Sequence, residues 1–181
     1  MPPCGLRLSP GRHEGRGRAR HRPRQRLMGE PHHRVRASAV VIRDRYLLSV
    51  RHAPDLYWSV PGGAIERGEL SQDAALRELM EEIGVAGRVT GLIAVIENQF
   101  DYDGARMEEI GFLYAVAADG ALPAPPATFP GAEARLTARW LPLSELAQTD
   151  LRPAPLRSIL ADTVGAASGW TAPLLHLQNV E

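Results

Sequence analysis

The chain has few cysteines and no long apolar segment, and both shortages exclude classes of protein. Its 181 residues include one cysteine, Cys4, so no disulfide can form within the chain. The longest apolar runs, at 92–96 and 112–118, have the length of strands, far below the roughly 18 residues of a membrane-spanning helix. The basic N-terminus lacks the apolar segment of a secretory signal. We therefore expect a cytoplasmic protein with no membrane partner.

The charges are unevenly distributed along the chain, although the net charge is zero. All 21 basic residues are arginines, and residues 1–27 hold eight of them against the single acid Glu14. We expect this segment to be disordered, because it has little apolar surface to bury. It is either a polyanion-binding arm, an arginine-rich transit peptide, or upstream sequence before a true start at Met28. We favour the last interpretation, because the segment lacks amphipathic period and interleaved aromatics.

Apolar and β-branched segments predict strands around one central helix. The helix is expected from Ser71, as its N-cap, to Ile83, with Gly84 ending it, and a second helix is expected after Pro153. The predicted strands are 35–44 and 45–52, which suggest a hairpin, then 56–65, 88–96, 109–118 and 137–143. Segment 119–134, rich in proline and alanine, is expected to be a surface loop. This order predicts an α/β or α+β layered domain over 28–165, followed by a C-terminal tail, 166–181.

The central helix carries three carboxylates on one face, those of Glu78, Glu81 and Glu82. Like charges three and four residues apart repel each other, so something should offset them. One interpretation is a solvated acidic face, the usual fate of such a run. The other is a divalent-cation site, because hard cations such as Mg²⁺ take oxygen ligands.

The residues around this acidic face follow a specific spacing. From Gly63 to Val85 the order is Gly63, five residues, Glu69, seven residues, Arg77-Glu78-Leu79, one residue, Glu81-Glu82, one residue, and Gly84-Val85. This segment resembles the Nudix box, G-x5-E-x7-R-E-U-x-E-E-x-G-U with U apolar, at every specified position. The resemblance implies a Nudix-type α/β/α sandwich with a mixed central sheet.

The resemblance also implies an activity and a set of site residues. Nudix proteins are mostly hydrolases that split a nucleoside diphosphate linked to another moiety, and they use Mg²⁺ or Mn²⁺. By position, Glu78 and Glu82 would be the main metal ligands, and the carbonyl of Gly62 would be another. Glu81 would be a further ligand or would hold a metal-bound water. Arg77 would pair with Glu69 and hold the loop against the helix. Gly63 would lie at the substrate.

The general base and the substrate contacts lie outside the box. In the family the base varies, and here we favour Glu109 over Glu97, Asp101, Asp103 and Glu108, although a solvent-facing glutamate at a strand end fits each position equally well. Phe100 and Tyr102 are candidates for stacking on a nucleobase, or for covering a hairpin edge. Trp58 and Trp140 are expected in the core, and His32, His33 and His52 lack the spacing of a zinc site.

The expected partner is a small nucleotide-derived substrate rather than a nucleic acid. A homodimer could complete the substrate pocket.

Two rival functions fit the same sequence. The first is a non-catalytic Nudix-like module that senses a nucleotide, whose usual mark is a degraded box. The second is an RNA-directed hydrolase that acts on a capped end, with the arginine-rich segment as its anchor.

Overall fold

The computed structural model describes residues 31–162 and 174–180, and the arginine-rich segment 1–27 lies outside them. Within these residues the helices are α1 (Ser71–Ile83), α2 (Pro155–Asp162) and a 3-10 helix (Leu143–Gln148). The strands are β1 (His32–Val40), β2 (Ile42–Arg43), β3 (Tyr46–His52), β4 (Gly62–Ala64), β5 (Ala86–Tyr102), β6 (Ala105–Asp119), β7 (Thr128–Pro130), β8 (Leu136–Pro142) and β9 (Leu175–Val180). The predicted α/β class is confirmed.

The strands form two sheets. A five-stranded sheet has the order β4-β1-β6-β5-β9, and a four-stranded sheet has the order β2-β3-β8-β7. In the larger sheet, β1 runs parallel to β6 and β5 runs parallel to β9, whereas the other pairs are antiparallel. The mixed sheet expected from the sequence is therefore confirmed.

The N-terminal strands depart from the predicted hairpin of 35–44 with 45–52. The first segment breaks after Val40, so that β1 joins the larger sheet and only β2 pairs with β3. The turn between β2 and β3 consists of Asp44 and Arg45, both with positive φ (49° and 67°), as a tight two-residue hairpin turn requires. The sequence of 35–44 gives no sign of this break, because its apolar residues continue without interruption from 39 to 42.

Helix α1 spans the predicted residues, but its N-terminus differs from the prediction. Gly84 ends the helix in the left-handed conformation, and its N–H donates to the carbonyl of Met80 at 2.9 Å. The N-cap is Leu70 rather than Ser71, and no side chain caps the helix. The hydroxyl of Ser71 instead forms a hydrogen bond 2.6 Å long with that of Tyr114, so a tertiary contact replaces the expected cap.

Two hydrophobic clusters occupy opposite faces of the strands. Leu47 and Leu48 are adjacent in β3 and both fully buried, yet they belong to different clusters, because side chains alternate across a strand. One cluster packs α1 against the sheets, and the other packs α2 and the 3-10 helix. Trp140 lies in the first cluster and Trp58 in the second, so the prediction that both are core residues is confirmed.

Several other predicted segments differ in the structure. Segment 56–65 forms only isolated bridges at Trp58 and Ser59 before the short strand β4. The expected loop 119–134 contains β7, whose Phe129 packs on the first cluster. The strands predicted at 88–96 and 109–118 extend into the long hairpin of β5 and β6. Within the expected C-terminal tail, β9 adds an edge strand beside β5. None of the helices described is long and apolar enough to cross a bilayer.

We predict that Leu79→Ala lowers the free energy of unfolding by about 2–5 kcal/mol, because Leu79 is fully buried between α1 and the sheets. Met80→Ala is the matched control on the same helix, since Met80 is 46% exposed and its truncation leaves no cavity. Urea denaturation of the two variants measures the difference. Equal losses would show that the packing of α1 is not what stabilises this region.

Candidate functional site

Arg77 joins the loop after β4 to helix α1. Its guanidinium group donates to both carboxylate oxygens of Glu69, at 2.8 and 3.0 Å, and to the carbonyl of Ala64 at 3.0 Å. The same group also reaches Glu78 at 2.8 Å and Glu81 at 2.9 Å. The planar guanidinium group has five N–H donors and can donate to all these acceptors. The ammonium group of a lysine has only three donors on one nitrogen and could not. The loop, Glu78 and Glu81 are thus held in one network.

Glycine at position 63 leaves the Glu78 carboxylate the space that a side chain would otherwise occupy. A Cβ atom built on Gly63 would lie 2.2 Å from Oε1 of Glu78, well inside van der Waals contact. The structure thus places Gly63 against Glu78. Gly62 is equally confined, since a Cβ atom there would lie 2.4 Å from the carbonyl oxygen of Ala37. Its own carbonyl, expected as a metal ligand, accepts a hydrogen bond from Arg36 at 2.6 Å.

Glu82 points inward from the last turn of α1 and is 3% exposed. Its Oε2 accepts the N–H of Gly62 at 3.1 Å, and its Oε1 lies 3.0 Å from Nε2 of His52. A buried carboxylate needs such partners, because an unpaired one would be strongly destabilising. The position of Glu82 is thus fixed by a backbone amide and an imidazole.

The environment of this site shifts the pKa values of Glu78 and His52. Burial raises the pKa of Glu78, and the nearby carboxylates of Glu82 and Glu81 act in the same direction against the opposing effect of Arg77. The hydrogen bond to Glu82 raises the pKa of His52 above 6.5. Carboxylates crowded in this way, with oxygen ligands that divalent cations prefer, fit a metal site of the kind that the sequence predicts.

A cleft of about 500 Å³ brings many of the predicted site residues together. Glu78, Glu82, Gly62 and Glu109 line it, and so do Phe100 and Tyr102. The remaining predicted residues, namely Glu69, Arg77, Glu81 and Gly63, are not among the lining residues. Arg77 bonds both the lining residue Glu78 and Glu69, which is not in the lining. The side chain of Glu81 is 56% exposed.

Glu109 is buried rather than solvent-facing. It is 7% exposed and forms hydrogen bonds with Arg34 on β1 and with Asn98 on β5. Arg34 also lies over the ring of Phe100, 5.7 Å from its centroid, so this end of the cleft joins a cation, a carboxylate and an aromatic face. Tyr102 nearby is 48% exposed, which leaves its ring accessible.

Three further arginines, Arg36, Arg51 and Arg152, also line the cleft. Arg36 donates to neutral acceptors, the carbonyl of Gly62 and the hydroxyl of Ser38. Arg51 lies over the ring of Trp58, 4.7 Å from its centroid. Among residues 31–162 and 174–180, no carboxylate pairs with Arg36 or Arg51. These two guanidinium groups therefore bring positive charge that is not held in an ion pair to a cleft that carboxylates also line.

The family comparison covers the whole of this site. A NUDIX domain model matches residues 32–162 of the chain, which include every site residue described above. The chain belongs to the NUDIX family. Its box segment is the one that places Glu78 and Glu82 in the cleft.

Relatives of this NUDIX chain match parts of it. It is 36% identical over 75 residues to a MutT-like protein of Streptomyces ambofaciens, which covers 41% of this chain and 49% of that protein. It is 33% identical over 107 residues to a putative mutator protein MutT4 of Mycobacterium tuberculosis (strain CDC 1551 / Oshkosh), which covers 59% and 38%. The chain therefore spans about half or less of the length of these two relatives.

The fold of this NUDIX chain is similar to solved structures over most of its length. A NUDIX hydrolase from Nitrosomonas europaea superposes with a TM-score of 0.56 at 20% identity, covering 81% of this chain and 78% of that structure. This similarity concerns the fold and supports the layered α/β architecture.

Sequence reasoning missed several cleft residues of this NUDIX chain. Arg36, Arg51 and Glu133 were not among the candidates, and His52 was considered only for zinc spacing. His52, Glu82 and Glu133 come from three distant segments, yet their ligand atoms lie within 4.8 Å of one another. No local spacing could reveal such a group. The only local signal for Glu133 is its position between a Pro-Gly turn and a buried strand.

We predict that Arg77→Ala lowers the melting temperature by several degrees. The loop after β4 then loses its bonds to α1, and the carboxylates of Glu69, Glu78 and Glu81 repel one another without the cation between them. Arg88→Ala is the matched control, since Arg88 is an exposed arginine outside this network. Thermal denaturation followed by circular dichroism measures both variants. An unchanged melting temperature in Arg77→Ala would contradict the anchoring role.

The Arg77 contact also predicts a pH dependence. Hydrogen bonding to Arg77 lowers the pKa of Glu69 below its usual 4.5, so the folded protein favours the charged carboxylate. The contribution of Glu69 to stability should be complete above pH 4.5 and be lost as the pH falls through the lowered pKa. We expect the difference in melting temperature between the wild type and Glu69→Gln to shrink below pH 4.5. A difference that stays constant down to pH 3 would refute the charged pair.

Proposed function

We propose that this protein is a divalent-metal-dependent pyrophosphohydrolase that cleaves a phosphoric anhydride bond in a nucleoside diphosphate derivative. The observation that carries the proposal is the meeting of two box glutamates, Glu78 and Glu82, with Arg36 and Arg51 in one cleft. Carboxylates suit Mg²⁺ or Mn²⁺, and guanidinium groups suit phosphate oxygens. A cleft that offers both kinds of group fits a diphosphate and its cation.

Glu78 and Glu82 would hold the cation, with Glu81 as a further ligand at the open rim. When bound, Mg²⁺ or Mn²⁺ neutralises charge on the diphosphate oxygens and lowers the pKa of water. Gly62 lines the same cleft, and its carbonyl already accepts a hydrogen bond from Arg36. Gly63 leaves room for the Glu78 carboxylate, and Arg77 fixes its orientation. The chain thus provides a preorganised set of oxygen donors.

In the proposed reaction, water adds to one phosphorus atom and the bridging P–O bond breaks. The departing phosphate group takes the bonding electron pair, and a general base takes the proton of the water. Glu109 remains our prediction for the base, because its carboxylate lines the cleft beside Asn98. Arg34 would hold Glu109 in place through their ion pair.

The substrate would lie between the acidic helix and the aromatic end of the cleft. Arg36 and Arg51 would bind phosphate oxygens, since both are charged at neutral pH and lack carboxylate partners among the described residues. Phe100 and Tyr102 would contact the base or another apolar moiety. A cytoplasmic location and a homodimer remain predictions.

The first experiment is product release from a panel of nucleoside triphosphates, ADP-ribose, diadenosine polyphosphates, nucleotide sugars and capped RNA. The full chain is assayed with Mg²⁺, with Mn²⁺ and with EDTA. We expect turnover of at least one small nucleotide with metal and none with EDTA. Nucleotide binding without turnover of any substrate would favour a non-catalytic module, and turnover of capped RNA alone would favour the RNA-directed alternative.

We predict that Glu82→Gln lowers kcat by about 10²–10³-fold, the usual cost of losing one group that stabilises developing charge. Glu145→Gln is the control, since Glu145 is exposed on the 3-10 helix far along the chain from the box. Steady-state kinetics on the best panel substrate measures both variants, with circular dichroism to establish that each is folded. Near-normal kcat in a folded Glu82→Gln would overturn the role of Glu82.

We predict that Arg51→Ala raises KM by about tenfold, as expected for losing a charge-assisted contact worth about 1.4 kcal/mol. Arg43→Ala is a closely matched control, because Arg43 also lies over a tryptophan ring, that of Trp140 at 5.3 Å, but outside the cleft. The increase should be larger for substrates with more phosphate groups. Equal effects of the two substitutions would assign Arg51 a packing role.

A further inference from the structure

A second group of ligand atoms lies beside the box carboxylates. His52 ends β3, Glu82 lies in the last turn of α1, and Glu133 lies in the loop between β7 and β8. One ligand atom from each falls within 4.8 Å of the other two. This group includes an imidazole, so it differs chemically from the three glutamates on the face of α1.

Backbone contacts hold these three segments together. The N–H of Ala132 donates to the carbonyl of Glu82 itself at 2.8 Å, and the N–H of Ala53 donates to the carbonyl of Arg135 at 3.0 Å. The loop that carries Glu133 is thus bonded both to α1 and to the residue after His52. Gly131 permits this approach, because a Cβ atom there would lie 2.6 Å from the carbonyl oxygen of Glu82.

The distances suit a metal ion after a small contraction. Nitrogen and oxygen ligands lie about 2.0–2.2 Å from a first-row metal, so two ligands on opposite sides of it are about 4.2 Å apart. The three ligand atoms lie within 4.8 Å of one another, so no pair needs to move more than about half an ångström closer. Glu82 is buried and fixed, whereas the side chain of His52 is 41% exposed and Glu133 is exposed, so the latter two can adjust.

We propose that His52, Glu82 and Glu133 bind a divalent first-row transition-metal ion, with His52 supplying a nitrogen ligand. Imidazole favours such ions over Mg²⁺, which prefers oxygen ligands and retains its waters. The site therefore selects Mn²⁺ or its heavier neighbours over Mg²⁺. It rests on the proposed function only through Glu82, which both metal sets share.

The hydrogen bond between His52 and Glu82 has a competing explanation. His52 could serve only to orient a buried carboxylate, with no direct contact to a metal. The two roles differ in one observable property: a bound metal has a nitrogen ligand in the first case and lacks one in the second. Activity alone would not separate them, because either role affects Glu82.

The test is pulsed electron paramagnetic resonance on the full chain with Mn²⁺ as the probe. Electron spin echo modulation from ¹⁴N reports an imidazole bound to the ion. We expect this modulation in the wild type and its loss in His52→Asn. The dissociation constant for Mn²⁺ should rise by about tenfold or more in His52→Asn, while that for Mg²⁺ changes less.

Two further variants sharpen the test. His176→Asn is the matched control, because His176 forms a similar pair with Glu97, at 2.9 Å, on the edge strand β9. It should retain both the modulation and the affinity. Glu133→Gln should weaken Mn²⁺ binding but keep the ¹⁴N modulation, since the imidazole remains. Unchanged Mn²⁺ affinity in Glu133→Gln would remove Glu133 from the site.

The outcomes separate this proposal from the proposed function. Bound Mn²⁺ without ¹⁴N modulation in an active wild type overturns the His52 ligand and leaves the hydrolase intact. Modulation that persists in His52→Asn also overturns it. Modulation that depends on His52 in a protein that hydrolyses no substrate supports the site and refutes the hydrolase.

Discussion

The contact between Arg77 and its four partners is the interaction on which the geometry of the cleft depends. A single guanidinium group holds Glu69 and the carbonyl of Ala64 on the loop, and Glu78 and Glu81 on the helix. Without it, the loop after β4 would lose the bonds that join Glu69 and the carbonyl of Ala64 to α1. The planar fork matters, because the acceptors lie in different directions around one cation.

This network offsets the charge of the box carboxylates only in part. Arg77 reaches Glu78 and Glu81, but Glu82 is stabilised by the N–H of Gly62 and by His52. Burial and mutual repulsion therefore still raise the pKa of Glu78. A site that keeps excess negative charge in a partly buried place is suited to a divalent cation, which neutralises several carboxylates at once.

Arginines on the strands bring positive charge to the same cleft. Arg36 on β1 and Arg51 on β3 reach into it without a carboxylate partner among the described residues, and the aromatic ring of Trp58 supports Arg51. Acids on the helix and arginines on the strands thus face a common space. Because neither set neutralises the other fully, each keeps charge for a ligand: the acids for a cation, the arginines for phosphate oxygens.

The sequence by itself determined the features that depend on neighbours along the chain. The span of α1, its end at Gly84 and the spacing of the box all lie within 23 residues or fewer, so periodicity and a left-handed glycine are enough to predict them. The α/β class and the burial of both tryptophans also follow from local patterns. The prediction of Ser71 as the N-cap was wrong, because its hydroxyl bonds to that of the distant Tyr114 instead.

Only the tertiary structure decided the features that depend on contacts between distant segments. One such feature is the break after Val40, where the chain passes from one sheet to the other. Two others are contacts between residues about 30 to 80 positions apart. They are the burial of Glu109 beside Arg34 and the group of His52, Glu82 and Glu133. Nothing in the local pattern distinguishes a strand-end glutamate in solvent from one that meets an arginine across a parallel pair of strands. The chain fixes which side chains are available, and the packing of the two sheets fixes which of them meet.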